Sequence, residues 1–93
     1  MANSIGGRIW SLDTAATLSS GPVCVGKMHW RPAAAANTLL VKDSSGSVIW
    51  AATALAAGGA GGDEFWENPN PLYPYQGFVL TTIDGGTLYV DIV

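Results

Sequence analysis

Near its C-terminus the chain sets Leu88, Val90 and Ile92 on one parity and Thr87, Tyr89, Asp91 and Val93 on the other. A period of two gives a strand two faces, and on a helix the same residues would be scattered round the circumference. Residues 78–83 are rich in aromatic and β-branched side chains, and Asp84-Gly85-Gly86 links the two runs. Such a link supplies the positive φ that a tight primed turn demands, so a closing hairpin is predicted. A second hairpin joins residues 38–42 to residues 47–52 through Asp43-Ser44-Ser45-Gly46, with Leu39 and Val41 on one face opposite Val48 and Trp50. Along residues 23–31 the alternation changes phase, from Val23 and Val25 to Met28 and Trp30, which predicts a β-bulge at Gly26. Residues 8–12 and 64–67 read as further short strands.

Helical signals are few. Residues 33–36 form only a four-residue run after Pro32, and residues 51–57 lack a polar face and run into a Gly-rich stretch at 58–62. Both read as loop or extended edge strand. The expected fold is therefore all-β: a small single-domain β-sandwich or jelly-roll-like barrel of about 6–8 short antiparallel strands. One domain accounts for residues 1–93, with residues 1–7 as an N-terminal arm that orders on a neighbouring subunit.

Composition narrows the function. Charged residues make up 12% of the chain against 48% hydrophobic, which leaves little charge for the outside and implies that part of the surface is covered by a partner. The four basic residues, Arg8, Lys27, Arg31 and Lys42, are dispersed in a chain of net charge −3. Nucleic acid and anionic membranes both require clustered cations, so neither is an expected partner. Cys24 stands alone, so an intrachain disulfide is impossible and a reducing compartment fits better. The first seven residues lack the basic and apolar regions of a signal peptide, and the expectation is a soluble protein made in the cytoplasm.

The chemistry of catalysis is thinly represented. His29 is the single histidine, placed on a predicted strand with Cys24 pointing to the opposite face, so a nucleophile–base pair is not expected. One Cys and one His make no zinc site. Asp63, Glu64, Glu67, Asn68 and Asn70 cluster, but Pro69 and Pro71 interrupt them and no calcium-loop spacing is present, so a solvated acidic loop is expected rather than a metal site. The Gly-rich stretch lacks the Lys-Ser/Thr that follows a phosphate loop. No cofactor, no metal and no enzymatic activity are expected.

Residues 63–78 carry five of the nine aromatic residues and three of the five prolines. Proline removes donors and fixes φ, so this stretch is expected to lie as a stiff extended loop rather than pair in a sheet. Aromatic side chains on a stiff loop lose little entropy when buried, and Phe65, Trp66, Pro69, Pro71, Leu72, Tyr73 and Tyr75 are the predicted interface. The equal alternative is that Trp66 and Phe78 fold back into the core while Tyr73 and Tyr75 cap its edge. Trp10, Trp30 and Trp50 are assigned to the core.

Taken together, "GGRIWSLDTAA", "SSGPVCVGKMHW", "LLVKDSSGSVIWAA", "DEFWENP" and "FVLTTIDGGTLYVDIV" resemble short virion proteins of tailed bacteriophages. Several proteins of this look are capsid cement or decoration proteins. The resemblance implies a non-enzymatic β-sandwich on the outer capsid shell, often a homotrimer, that binds the major capsid protein and stabilises capsomer contacts. It transfers no functional residue. Two alternatives stand beside it. One is a carbohydrate-binding host-attachment module, with Trp66, Tyr73 and Tyr75 as stacking platforms and Glu67, Asn68 and Asn70 bonding hydroxyls. The other is a head–tail or tail structural subunit.

Overall fold

The computed structural model describes residues 3–93. Eight strands form in chain order: β1 Ile9–Leu12, β2 Ala16–Val23, β3 Val25–Arg31, β4 Thr38–Lys42, β5 Val48–Thr53, β6 Glu64–Glu67, β7 Tyr75–Ile83 and β8 Thr87–Ile92. They make two antiparallel four-stranded sheets, ordered β1-β8-β3-β6 and β2-β7-β4-β5. Successive strands therefore alternate between sheets except at β4–β5, and the order is that of a jelly roll.

The core lies between the sheets and follows the alternation. Trp10, Leu12, Val25, Met28, Trp30, Leu88 and Val90 turn inward from the first sheet; Val23, Leu39, Val41, Phe78 and Leu80 face them from the second. Trp10 meets Phe78 edge to face across the gap, with ring centroids 5.4 Å apart. The indole N–H of Trp30 is buried but donates to the carbonyl of Gly85 at 3.2 Å, so its burial strands no polar group.

The hairpin at residues 38–52 and the bulge at Gly26 are both present: Val25 pairs with Ile92 and Lys27 with Asp91, leaving Gly26 over. Asp43 organises the hairpin turn, accepting from the N–H groups of Ser45 and Ser47 at 3.0 and 2.9 Å. In β5, Trp50 shares the inward side of Val41, but Val48 does not. It sits opposite Lys42 after a register shift and is largely exposed.

Three expectations are corrected. β7 and β8 do not form a hairpin. Both are interior strands, β7 between β2 and β4 and β8 between β1 and β3, so neither has an edge left for the other. Asp84-Gly85-Gly86 turns tightly, with φ +83° at Gly86, but it carries the chain from one sheet to the other. Asp84 pins this corner to the start of β4 by accepting from the N–H and hydroxyl of Thr38 at 2.6 and 3.0 Å. Second, residues 23–31 are not one strand. The chain changes sheets at Cys24, and Ala16–Val23 is a strand of its own in spite of Gly21 and Pro22. It tolerates them because it is an edge strand, where a missing donor faces solvent. Third, residues 63–78 are not one extended loop. β6 and the start of β7 pair at its two ends, and Pro69, Pro71 and Pro74 are confined to the connection between them.

Of the predicted N-terminal arm, residues 1–2 lie outside the described residues. Asn3 and Ser4 lie along their own domain. Ser4 exchanges backbone hydrogen bonds with Ser11 at 2.8 and 2.9 Å, and the Asn3 carboxamide oxygen accepts from the N–H groups of Asp13 and Thr14.

Candidate recognition face

The first sheet turns one face away from the core. Because its strands pair in register, side chains on that face fall into rows that cross it. One row runs Ser11, Tyr89, His29, Phe65, and the next runs Ile9, Asp91, Lys27, Glu67. The first is aromatic through its last three members and the second is charged through its last three. All of these but Ser11, together with Met28 and Trp66, line a concavity of about 600 Å3.

In the aromatic row, His29 stacks on Phe65 with centroids 4.4 Å apart and planes 14° from parallel, and Tyr89 leans on its other side at 5.7 Å. Phe65 belongs to an edge strand, so the ring face turned from His29 is open to solvent; the residue is 72% exposed. His29 is fixed from the far end by Asp63, whose Oδ2 lies 3.0 Å from Nε2. The other carboxylate oxygen of Asp63 accepts from the N–H of Gly59 at 3.1 Å, which ties the Gly-rich connection to the sheet. The His29 hydrogen bond, assisted by Gly59 and the nearby charge of Arg31, holds the Asp63 carboxyl below its ordinary value of 3.8. Among the described residues His29–Asp63 is the one acid–base contact within 4 Å, and Lys27, Glu67 and Asp91 make no such contact beside the rings.

The predicted interface residues divide into three groups. Phe65 is on the face just described. Trp66 and Tyr75 turn inward instead: both pack against the core, their rings 6.2 Å apart, and burial pushes the Tyr75 phenol above its usual range. Pro69, Pro71, Leu72 and Tyr73 lie in the β6–β7 connection, where Leu72 and Tyr73 are 76% and 70% exposed. Trp66 and Tyr75 are therefore less open to a sugar than Tyr73, although Trp66 still lines the concavity.

The connection is anchored by Asn68, which is buried. Its carboxamide donates to the carbonyl of Val25 at 2.8 Å and its N–H donates to the carbonyl of Gly26 at 3.0 Å. Its side-chain oxygen accepts from the N–H of Asn70 at 2.9 Å, so its polar groups are spent inside the fold and not on a ligand. Cys24, at the change of sheets, points its thiol to the carbonyl of Leu72 at 3.8 Å and so meets the same connection. Replacing Asn68 with alanine leaves the Val25 carbonyl without that donor, a loss of about 1–3 kcal/mol. The expected result is a fall in unfolding temperature, at roughly 4–8 °C per kcal/mol, with faster amide exchange at residues 69–74. An unchanged melting curve would contradict the anchoring role.

Sequence reading missed His29, Tyr89, Lys27, Asp91 and Ile9 as members of one surface. Alternation does place Tyr89 and Asp91 outward, but only the pairing of strands distant in sequence sets them beside His29, Lys27 and Phe65. Among the described residues no three His, Cys, Asp or Glu side chains gather as a metal site would require. No described helix is long and apolar enough to cross a membrane.

The chain is a single-domain jelly roll with a ring-and-charge surface on one sheet. Comparison with protein-family models, with curated proteins and with solved structures gave no match to the chain.

Proposed function

We propose that this chain is a non-enzymatic structural protein of a phage virion, a cement or decoration module that binds the major capsid protein on the outer shell. The observation that carries the reading is the set of large apolar side chains, Phe65, Leu72 and Tyr73, held exposed on and beside β6 by the frame that Asn68 and the His29–Asp63 pair fix. Jelly rolls serve in viral capsids and in lectins, which supports the reading by analogy of fold alone. Magnitudes favour a lattice as partner. Full burial of three such side chains contributes about 5–9 kcal/mol, which lies within the estimated cost of association itself. A single subunit then binds weakly, and several subunits engaging one shell bind well. A subunit that binds only the assembled shell stabilises it by mass action.

The test is re-addition of purified protein to capsids assembled without it, read by co-sedimentation. Wild-type protein is expected to sediment with the shell. A triple variant Phe65→Ser, Leu72→Ser, Tyr73→Ser is expected to lose at least about a hundredfold in affinity. Wild-type protein left in the supernatant overturns the proposal.

A second reading is favoured by one observation, the open ring of Phe65 beside Lys27, Glu67 and Asp91. Aromatic faces stack on sugar rings, and carboxylates and ammonium groups bond hydroxyls, so this sheet face would suit a glycan in host attachment. Binding on a glycan array that Tyr89→Ala abolishes, together with no capsid binding, would move the function there.

A further inference from the structure

The two sheets end in four edge strands, and three of them are visibly protected. Ser4 pairs along the outer side of β1. β2 carries Pro22 and two register shifts. β6 is four residues long with a glutamate at each end. Proline, irregularity, shortness and charge are the means by which proteins keep edges from pairing with other chains. β5, which pairs with β4 alone, has an irregularity only at its start. Val41 faces Trp50 and Lys42 faces Val48, so Ile49 is the extra residue and Trp50 to Thr53 run regularly. No charged residue and no proline occur anywhere from Val48 to Gly62.

The direction of the free hydrogen-bonding groups follows from a neighbour. Ala54 donates its N–H to Asn37 at 2.8 Å and accepts from the N–H of Ala36 at 2.9 Å, so both of its backbone groups turn toward the β4 side. Alternation turns those of Ala52 and Trp50 the same way and those of Ala51 and Thr53 outward. Both outward residues are small and exposed, which permits close approach of another backbone.

We propose that β5 is a self-association edge, and that its partner is β5 of a second copy, antiparallel across a two-fold axis near Ala51. A two-fold brings a strand against itself in the opposite sense, so any edge that is uniform along its length suits its own copy. The opposed sense brings Val48 of one copy to the Ala54–Leu55 end of the other. These are the exposed apolar side chains that bound the strand, Val48 at 58% and Leu55 at 85%. In a chain of net charge −3 an uncharged edge also lets two copies meet without like charges opposed. The product is one continuous eight-stranded sheet. This assembly is two-fold, unlike the trimer that the resemblance to decoration proteins implies, and it stands whether or not the chain binds a capsid.

The experiment is the solution mass by light scattering from micromolar to millimolar protein, for wild type, Ala51→Pro and Thr53→Lys. Proline at Ala51 removes an outward donor and leaves the bonds to β4 intact; lysine at Thr53 sets a charge on the edge, against Ile49 of the other copy, which is a means by which exposed edges are kept from pairing. Wild type is expected to approach about 19 kDa, twice the 9.6 kDa of the chain, with amide exchange at Ala51 and Thr53 slowing as concentration rises. Each variant is expected to raise the dimer dissociation constant at least tenfold while far-UV circular dichroism stays that of wild type. If Ala51→Pro fails to fold, Thr53→Lys decides. Wild type that remains at the monomer mass overturns the proposal, and so does an oligomer whose mass a folded variant leaves unchanged.

Discussion

Trp30→Ala is expected to lower the unfolding temperature by about 15–50 °C or to prevent folding at physiological temperature. Trp30 is fully buried at the centre of the gap between the sheets. Truncating a buried aromatic costs about 3–5 kcal/mol, because the cavity only partly collapses. The Gly85 carbonyl also loses the indole donor that reaches it at 3.2 Å, which adds about 1 kcal/mol. That total approaches the whole stability of a small domain, about 5–15 kcal/mol. Phe65→Ala is the control. It removes a ring from the exposed face of the same sheet, where substitutions away from the core usually change stability by about 0.5 kcal/mol or less. The two variants are to be compared by thermal unfolding in near-UV circular dichroism. A Trp30→Ala melting point within a few degrees of wild type would show that this side chain does not join the sheets.

Gly86→Ala is expected to destabilise by about 2–5 kcal/mol, and Gly46→Ala by only about 1–2 kcal/mol. Both glycines have positive φ, +83° and +93°, which costs any other residue about 1–2 kcal/mol. The surroundings separate them. A methyl group on Gly46 meets nothing within 4 Å, whereas on Gly86 it runs into the carbonyl oxygen of Arg31 and lies 2.7 Å from the Cα of Pro32. Those are backbone atoms, which move only if the β3–β4 connection moves, and overpacking of this kind adds about 1–3 kcal/mol. Urea unfolding midpoints measure the difference. Equal shifts for the two variants would place the corner at Gly86 away from residues 31–33.

That corner also shows where local sequence stops being informative. Asp84-Gly85-Gly86 encodes a tight turn, and a tight turn forms, but whether it folds β8 back beside β7 or across the gap depends on what else pairs with each strand. Partners of β8 come from residues 9–12 and 25–31, and no local pattern links them to it. Where partners are adjacent, as in β4–β5, alternation finds the pair though not the register shift that turns Val48 outward, and where a phase change is internal to a strand, as at Gly26, it suffices. β2 was hidden because Ser19, Ser20, Gly21 and Pro22 have the composition of a turn, and only an edge position lets them pair. The recognition face was legible one residue in two. The alternation within β6 puts Phe65 and Trp66 on opposite sides, and composition alone does not say which side is the core. Asp63 is 34 residues from His29, and their contact depends on β3 and β6 being neighbours.

The pairing of β1 with β8 bears on how the molecule is made. β8 is the inner strand against which both β1 and β3 lie, so during synthesis the first sheet cannot close until residues 87–92 emerge. Until then Trp10, Leu12, Met28 and Trp30 have no sheet to complete, and the second sheet has nothing to cover it. A topology so dependent on distant contacts folds over milliseconds to seconds, slowly for its size. The nascent chain spends that interval with apolar strands uncovered, of which the uncharged β5 is the most apt to capture a neighbour on the same message. A polysome-bound population of such chains would meet one another before β8 has emerged, and the order in which strands leave the ribosome would then decide between folding and aggregation.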